Sequence, residues 1–212
     1  SRSIRRFAPT AAPRVLDHKG GTVRLRCQHV LPAGEHDYAA LGQPLQGHVD
    51  CGAMCMPGEC ERIHALVRDA VGKGARVAIG GEIVGGAGGG GQFYAPTVLV
   101  GVDHSMRIMK EEVFGPVASL RAFSDESEAL RLANATPYGL AASVWTKDLD
   151  RAHRLVQRVE AGVIWINAWM IRDLRTPFGG AKQSGLGREG GIESVHFFQE
   201  SAGVTLRLGD PS

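Results

Sequence analysis

The sequence predicts an α/β fold, a twisted parallel sheet with helices on its faces, and three observations carry that prediction. Short apolar runs of strand length recur at residues 117–123 and 142–146 and at Val163-Ile164-Trp165-Ile166. Between them, Ala129, Leu130, Leu132 and Ala133, then Leu149, Ala152, Leu155, Val156 and Val159, repeat at helical spacing. Strand, helix, strand, helix, strand in that order favours βαβ crossovers, which join parallel strands. The third observation is the setting of the run 163–166, between Gly162 and the polar Asn167. An unbroken apolar run of that length reads as a central strand buried on both faces. In open α/β sheets ligands bind beyond the carboxyl ends of the strands. Asn167, Trp169, Arg172 and Arg175 are therefore expected near whatever site the fold has.

The elements follow in chain order. Residues 1–47 read as an irregular basic arm: seven Arg and Lys residues from Arg2 to Arg26 stand against Asp17, and no period of 2 or 3.6 is sustained. Residues 48–212 read as the folded segment. Ile63, Leu66, Val67, Ala70 and Val71 mark one face of a helix that stops at Gly72 or Gly74. Residues 76–79 and 97–100 are short strands. The glycine-rich run 85–91 lacks a following Lys-Ser/Thr and opens no helix, so it reads as a surface connection rather than a phosphate cradle. Ser124 or Asp125 can cap the helix that carries Leu130, with Glu128 completing a capping box with Asp125. Asp148 and Asp150 suit the first turn of the next helix. Residues 191–198 read as helical, and Val204-Thr205-Leu206-Arg207-Leu208 alternates as a half-exposed final strand.

Composition bounds the function. A chain of 212 residues with 43% apolar and 22% charged residues can bury a core, and a net charge of +2 gives no field for nucleic acid or an anionic membrane. No apolar run has the length of a spanning helix or of a signal-peptide core. The expected setting is cytoplasmic, and the expected partners are a small molecule and further copies of the chain. Cys51, Cys55 and Cys60 with His48 could in principle hold zinc, but C-x3-C and C-x4-C are not the paired C-x2-C knuckles of a strong metal motif. Reduced thiols are the simpler reading, and no metal is expected.

Several motifs agree in order and spacing: Pro96-Thr97, Glu111-Glu112-Val113-Phe114-Gly115-Pro116, Pro137-Tyr138-Gly139-Leu140, and the stretch from Ile166 to Glu189 that contains Arg172-Asp173-Leu174-Arg175-Thr176-Pro177-Phe178-Gly179-Gly180. Together they resemble the C-terminal catalytic-domain segment of the NAD(P)-dependent aldehyde dehydrogenases. The tryptophan and R-D-L-R-T wording is most similar to the muconic-semialdehyde branch. The resemblance spans residues 50–208, and it implies an NAD or NADP co-substrate, an aldehyde that also bears a carboxylate, and a homo-oligomer joined through the C-terminal strand.

It also implies residue roles. Glu112 and Phe114 match the positions that hold the nicotinamide end of the cofactor. A carboxylate can accept hydrogen bonds from both ribose hydroxyls, and an aromatic ring two residues on can pack beside the nicotinamide. A solvated surface turn is the alternative. Arg172 matches the reader of the substrate carboxylate, a task suited to a guanidinium fork. Its alternative, favoured for Arg175, is an ion pair with Asp173. Trp169 and Phe178 would be apolar walls and Asn167 a polar lining group, unless they serve packing alone. Gly185-Leu186-Gly187-Arg188-Glu189-Gly190 fits G-x-G-x-x-G, but no strand precedes it directly, so it is not read as a dinucleotide fingerprint.

The family's reaction uses a cysteine nucleophile, an oxyanion hole and a general-base Glu. Here Cys27, in Gly20-Gly21-Thr22-Val23-Arg24-Leu25-Arg26-Cys27, is the candidate nucleophile, although the Gln of a G-Q-x-C setting is missing. Arg24 and Arg26 would lower its pKa in that role; an incidental thiol is the other reading. The family's dinucleotide-binding domain is not visible in the 212 residues. The chain is therefore expected to be inactive alone, and a non-catalytic oligomerising remnant is the rival reading.

Overall fold

The computed structural model describes residues 51–85 and 92–209, together with Leu41 and the backbone pairing of Val15–Leu16 (β1) with Thr22–Val23 (β2), which is antiparallel. The candidate nucleophile Cys27, His48, the rest of the basic arm and glycine-rich residues 86–91 lie outside the described residues. The chain divides into two compact units, Ser1–Asp125 and Glu126–Ser212.

In the first unit, α1 (Glu59–Gly72) begins after Gly58, whose φ of 85° a glycine adopts without Cβ strain. Its apolar stripe, Cys60, Ile63, Leu66, Val67 and Ala70, is buried, while Val71 at the stripe's margin is exposed. The strands β3 (Arg76–Ile79), β4 (Ile83–Gly85), β5 (Gln92–Tyr94), β6 (Thr97–Val100) and β7 (Val117–Leu120) follow, with a 3-10 turn at Arg107–Met109. β6 pairs parallel with β7 and antiparallel with β3, so this sheet is mixed. β4 and β5 form a separate antiparallel pair. The run 117–123 stops pairing at Leu120 because its partner β6 ends at Val100, where Gly101 turns with φ 73°. α1, Tyr94, Leu99, Val102, Met106 and Ile108 close one hydrophobic core.

The second unit comprises α2 (Glu126–Asn134), β8 (Tyr138–Gly139), β9 (Ala141–Val144), α3 (Leu149–Val156), β10 (Val163–Ile166), β11 (Ala181–Lys182) and α4 (Gly191–Phe197). β9 and β10 pair parallel across α3, as the βαβ spacing predicts. Asp148 caps α3 by accepting from Arg151 N at 3.0 Å. β10 is half-buried rather than buried on both faces, since β9 is its ladder partner on one side alone among the described residues. β11 pairs antiparallel with β8. Lys182, at φ 53°, donates Nζ to the carbonyl of Asn134, the last residue of α2, at 2.8 Å and to that of Thr136 beyond it at 3.1 Å.

The alternating run 204–208 forms no strand, and Val204, Leu206 and Leu208 are exposed. Alternation gives a segment a strand's two faces, but a strand exists only when another backbone takes its N–H and C=O groups. No helix among the described residues is long and apolar enough to cross a membrane.

Candidate functional site

Glu112 and Phe114 lie in the first unit, in the turn that leads into β7. Both are exposed, Phe114 at 76%, and Phe114 takes φ 47°. A bulky residue in the left-handed region is backbone strain that surrounding contacts must sustain. Those contacts come from α1. Arg62 donates Nη1 to the carbonyl of Glu112 at 3.2 Å and Nη2 to that of Val113 at 2.6 Å. The same guanidinium is paired with Glu59, Nε at 3.0 Å and Nη2 at 2.7 Å from Oε2. Glu59 is held below the usual carboxylate range, chiefly by that hydrogen bond, and Arg62 is raised by it. Next to Phe114, a Cβ on Gly115 would meet the end of the Ile63 side chain, so α1 lies close to this turn. Arg62 is the residue that sequence reasoning missed. Its E-x-x-R spacing with Glu59 signals a helix-surface ion pair, and nothing local signals a reach of fifty residues along the chain.

The other candidates stand in the second unit, just past the carboxyl end of β10. Asn167, at φ 50°, spends its amide on Thr146: Oδ1 accepts from Thr146 N and Nδ2 donates to Thr146 O, each at 2.8 Å. This clamp takes Thr146 out of the ladder, which is why β9 stops at Val144 and not at 146. A cleft of about 470 Å³ opens there, lined by Trp145, Thr146, Lys147, Leu149, Ala152, Ile166 and Asn167, at the carboxyl ends of the two parallel strands. Trp169, Arg172 and Phe178 are not part of its lining.

Trp169 stacks edge-on against Trp165 at 5.3 Å, and Trp165 Nε1 donates to Ile171 O at 2.8 Å. Phe178 bridges to Glu189 through two backbone hydrogen bonds of 2.7 Å. Arg172 lies over the Phe178 ring, 4.2 Å from its centroid, and Nη2 donates to Glu189 Oε1 at 2.9 Å. The structure thus joins Arg172 and Phe178 in one constellation, with Glu189 as the carboxylate. Arg175 takes the Asp173 carboxylate through Nε and Nη2, which holds Asp173 below its usual range. That is the ion pair expected of Arg175. Arg172 is left with a different partner on the Gly187-Arg188-Glu189 turn.

Cys51, Cys55 and Cys60 form no disulfide with one another, and burial pushes the Cys60 thiol up. A raised thiol is the opposite of an activated nucleophile.

Residues 35–204 match the aldehyde dehydrogenase family model. The chain is 39% identical over 170 residues to the 2-hydroxymuconic semialdehyde dehydrogenase of Pseudomonas putida, covering 79% of this chain and 35% of that one. It is 39% identical over 170 residues to the 2-aminomuconic semialdehyde dehydrogenase of Danio rerio, covering 78% of this chain and 35% of that one. Among solved structures, the NAD-dependent aldehyde dehydrogenase from Sinorhizobium meliloti superposes with a TM-score of 0.75 and 41% identity, covering 82% of this chain and 34% of that one. Betaine aldehyde dehydrogenase from Staphylococcus aureus in complex with NAD+ gives 0.69 and 37%, covering 74% and 32%. The chain spans about a third of the length of these relatives. With its mixed α/β architecture and parallel strand pairs, the chain belongs to the aldehyde dehydrogenase family.

Proposed function

We propose that these residues serve as the C-terminal part of an NAD(P)-dependent aldehyde dehydrogenase that oxidises a carboxylated semialdehyde of the muconic type to the acid. Alone, they are inactive. The observation that carries the dehydrogenase reading is the turn at Glu112 and Phe114, where a strained, exposed aromatic follows an exposed carboxylate on a backbone held from α1. That pair of groups fits the nicotinamide end of a dinucleotide: the carboxylate accepts from ribose hydroxyls and the ring packs against the base. Bound NAD(P)+ supplies the hydride acceptor.

A thiolate attacks the aldehyde carbon, the adduct would lose its hydride to that acceptor and become a thioester, and water would then hydrolyse the thioester to the acid and the free thiol. The nucleophile and the general base come from the rest of the enzyme, with Cys27 as the alternative nucleophile within this chain. On the substrate side, Arg172 grips the distal carboxylate, with Trp169 and Phe178 as apolar walls. Its seat over Phe178 fixes the guanidinium plane before substrate arrives. Glu189 keeps the cation paired until a substrate carboxylate competes for it.

Glu112→Gln in the full-length enzyme tests the cofactor side. Misplaced nicotinamide slows hydride transfer, so NADH formation should fall by about 10–100-fold in the pre-steady state while thioester hydrolysis changes little. An unaltered hydride step removes Glu112 from the cofactor site.

A further inference from the structure

We propose that Glu59 and Arg62 form a positioning device that sets the Glu112–Phe114 turn for hydride transfer, acting through the turn's backbone and not through contact with substrate. The inference rests on the assignment of Glu112 and Phe114 to the cofactor.

The geometry is specific. Arg62 distributes one planar guanidinium over three acceptors, the carbonyls of Glu112 and Val113 at 3.2 and 2.6 Å and the Glu59 carboxylate at 2.7 Å. A rigid fork of five N–H donors spans such a set, whereas an ammonium is a point charge with rotatable donors. Glu59 lies one turn earlier on α1 and fixes the fork's orientation, so the helix face becomes a template. The two carbonyls it grips belong to the residue that presents the carboxylate and to the one before the strained Phe114. Behind them, a Cβ added to Gly115 would meet the end of the Ile63 side chain, so glycine lets the turn lie close against α1. Two charge-assisted bonds thereby hold the backbone that leads into the left-handed Phe114. The consequence is functional because hydride transfer is sensitive to displacements of about 1 Å, which cost on the order of 100-fold.

The test uses the full-length enzyme, with a semialdehyde deuterated at the reacting carbon. Arg62→Met should slow the pre-steady-state formation of NADH by about 10–100-fold. It should also raise the primary isotope effect on kcat, because hydride transfer becomes rate-limiting. Thermal stability should fall little, since Arg62 lies on the half-exposed face of α1. Arg62→Lys should recover part of the lost rate. Glu59→Gln, which keeps Arg62 and its packing, should show the same signature at smaller amplitude, and it decides the matter if Arg62→Met fails to fold. A normal hydride step in Glu59→Gln and Arg62→Met, with a slow one in Glu112→Gln, overturns the positioning role alone. A normal step in all three overturns the assignment of the turn to the cofactor, and the positioning role with it.

Discussion

The two units differ most in what they do with apolar side chains. Among the described residues, the first buries Ile63, Leu66, Val67, Tyr94, Leu99, Val102 and Met106 around α1, whereas the second fully buries Leu130 and Ala152. The second unit instead exposes Trp145, Leu149, Ile171, Leu174, Leu186, Phe197, Phe198, Val204, Leu206 and Leu208. The first unit thus has a core of its own, and the second has faces that call for cover. Exposed apolar area on this scale marks surfaces that another body occupies. In the proposed account that body is the remainder of the enzyme or a second copy. The same contrast governs the candidate residues. Glu112 and Phe114 present side chains from a backbone held by a folded core, while Asn167 and Arg172 are held by their own side-chain partners.

The largest expected effect is on activity. If the second unit needs cover to present Arg172, and nucleophile and base come from elsewhere, the 212 residues alone should not turn over. Loss of nucleophile and base removes many powers of ten of acceleration. Purified chain with NAD+ and a panel of semialdehydes should give no NADH absorbance above a protein-free control. Turnover that vanishes on Cys27→Ala contradicts this and makes Cys27 the nucleophile.

A smaller effect is on stability. Leu66 is fully buried, so Leu66→Ala should cost the first unit about 2–5 kcal/mol. Leu149→Ser, at an exposed position of the second unit, should change stability by less than about 0.5 kcal/mol in the isolated chain. Urea unfolding of each variant measures both. A comparable loss in both variants means that the second unit has a core where Leu149 appears bare, and the contrast fails.

The smallest effect is a pH dependence at Asp69 of the first unit. Asp69 on α1 accepts from Arg107 N at 3.0 Å and pairs with Lys73. These bonds, the Arg107 one foremost, hold its carboxyl below the usual range. A depressed folded pKa contributes stability above the unfolded value of about 3.9 and loses it as pH falls through the folded value. Asp69→Asn should therefore be less stable than the parent near neutrality, with the gap closing as pH is lowered below about 4. A gap of equal size at both ends, read by circular dichroism melts, assigns the loss to shape and not to charge.

Much of this architecture could be read from the sequence where the signal is local. The stripe of α1 and the run 163–166 each depend on spacing that one segment contains, whereas Asp148, expected in the first turn of α3, stands one residue before it as the cap. Strand ends were less legible because a partner sets them: Gly101 ends β6 and so cuts β7 at Leu120, and the Asn167 amide removes Thr146 from β9. The run 204–208 has a strand's alternation and no partner backbone among the described residues. At the site, motif order pointed to Glu112, Asn167, Trp169, Arg172 and Phe178. The groups that hold them, Arg62, Thr146 and Glu189, are joined through space, and sequence spacing carries no trace of that.

Arg172 is proposed to read a carboxylate on the substrate, and paired substrates separate that role from a structural one. In the full-length enzyme, Arg172→Leu should raise KM for a carboxylated semialdehyde by about 10–100-fold, the loss expected of a charged hydrogen bond. KM for an uncharged aldehyde of similar length should stay within about twofold of the parent. Equal losses on the two substrates contradict the claim and leave Arg172 as a structural partner of Glu189 and Phe178.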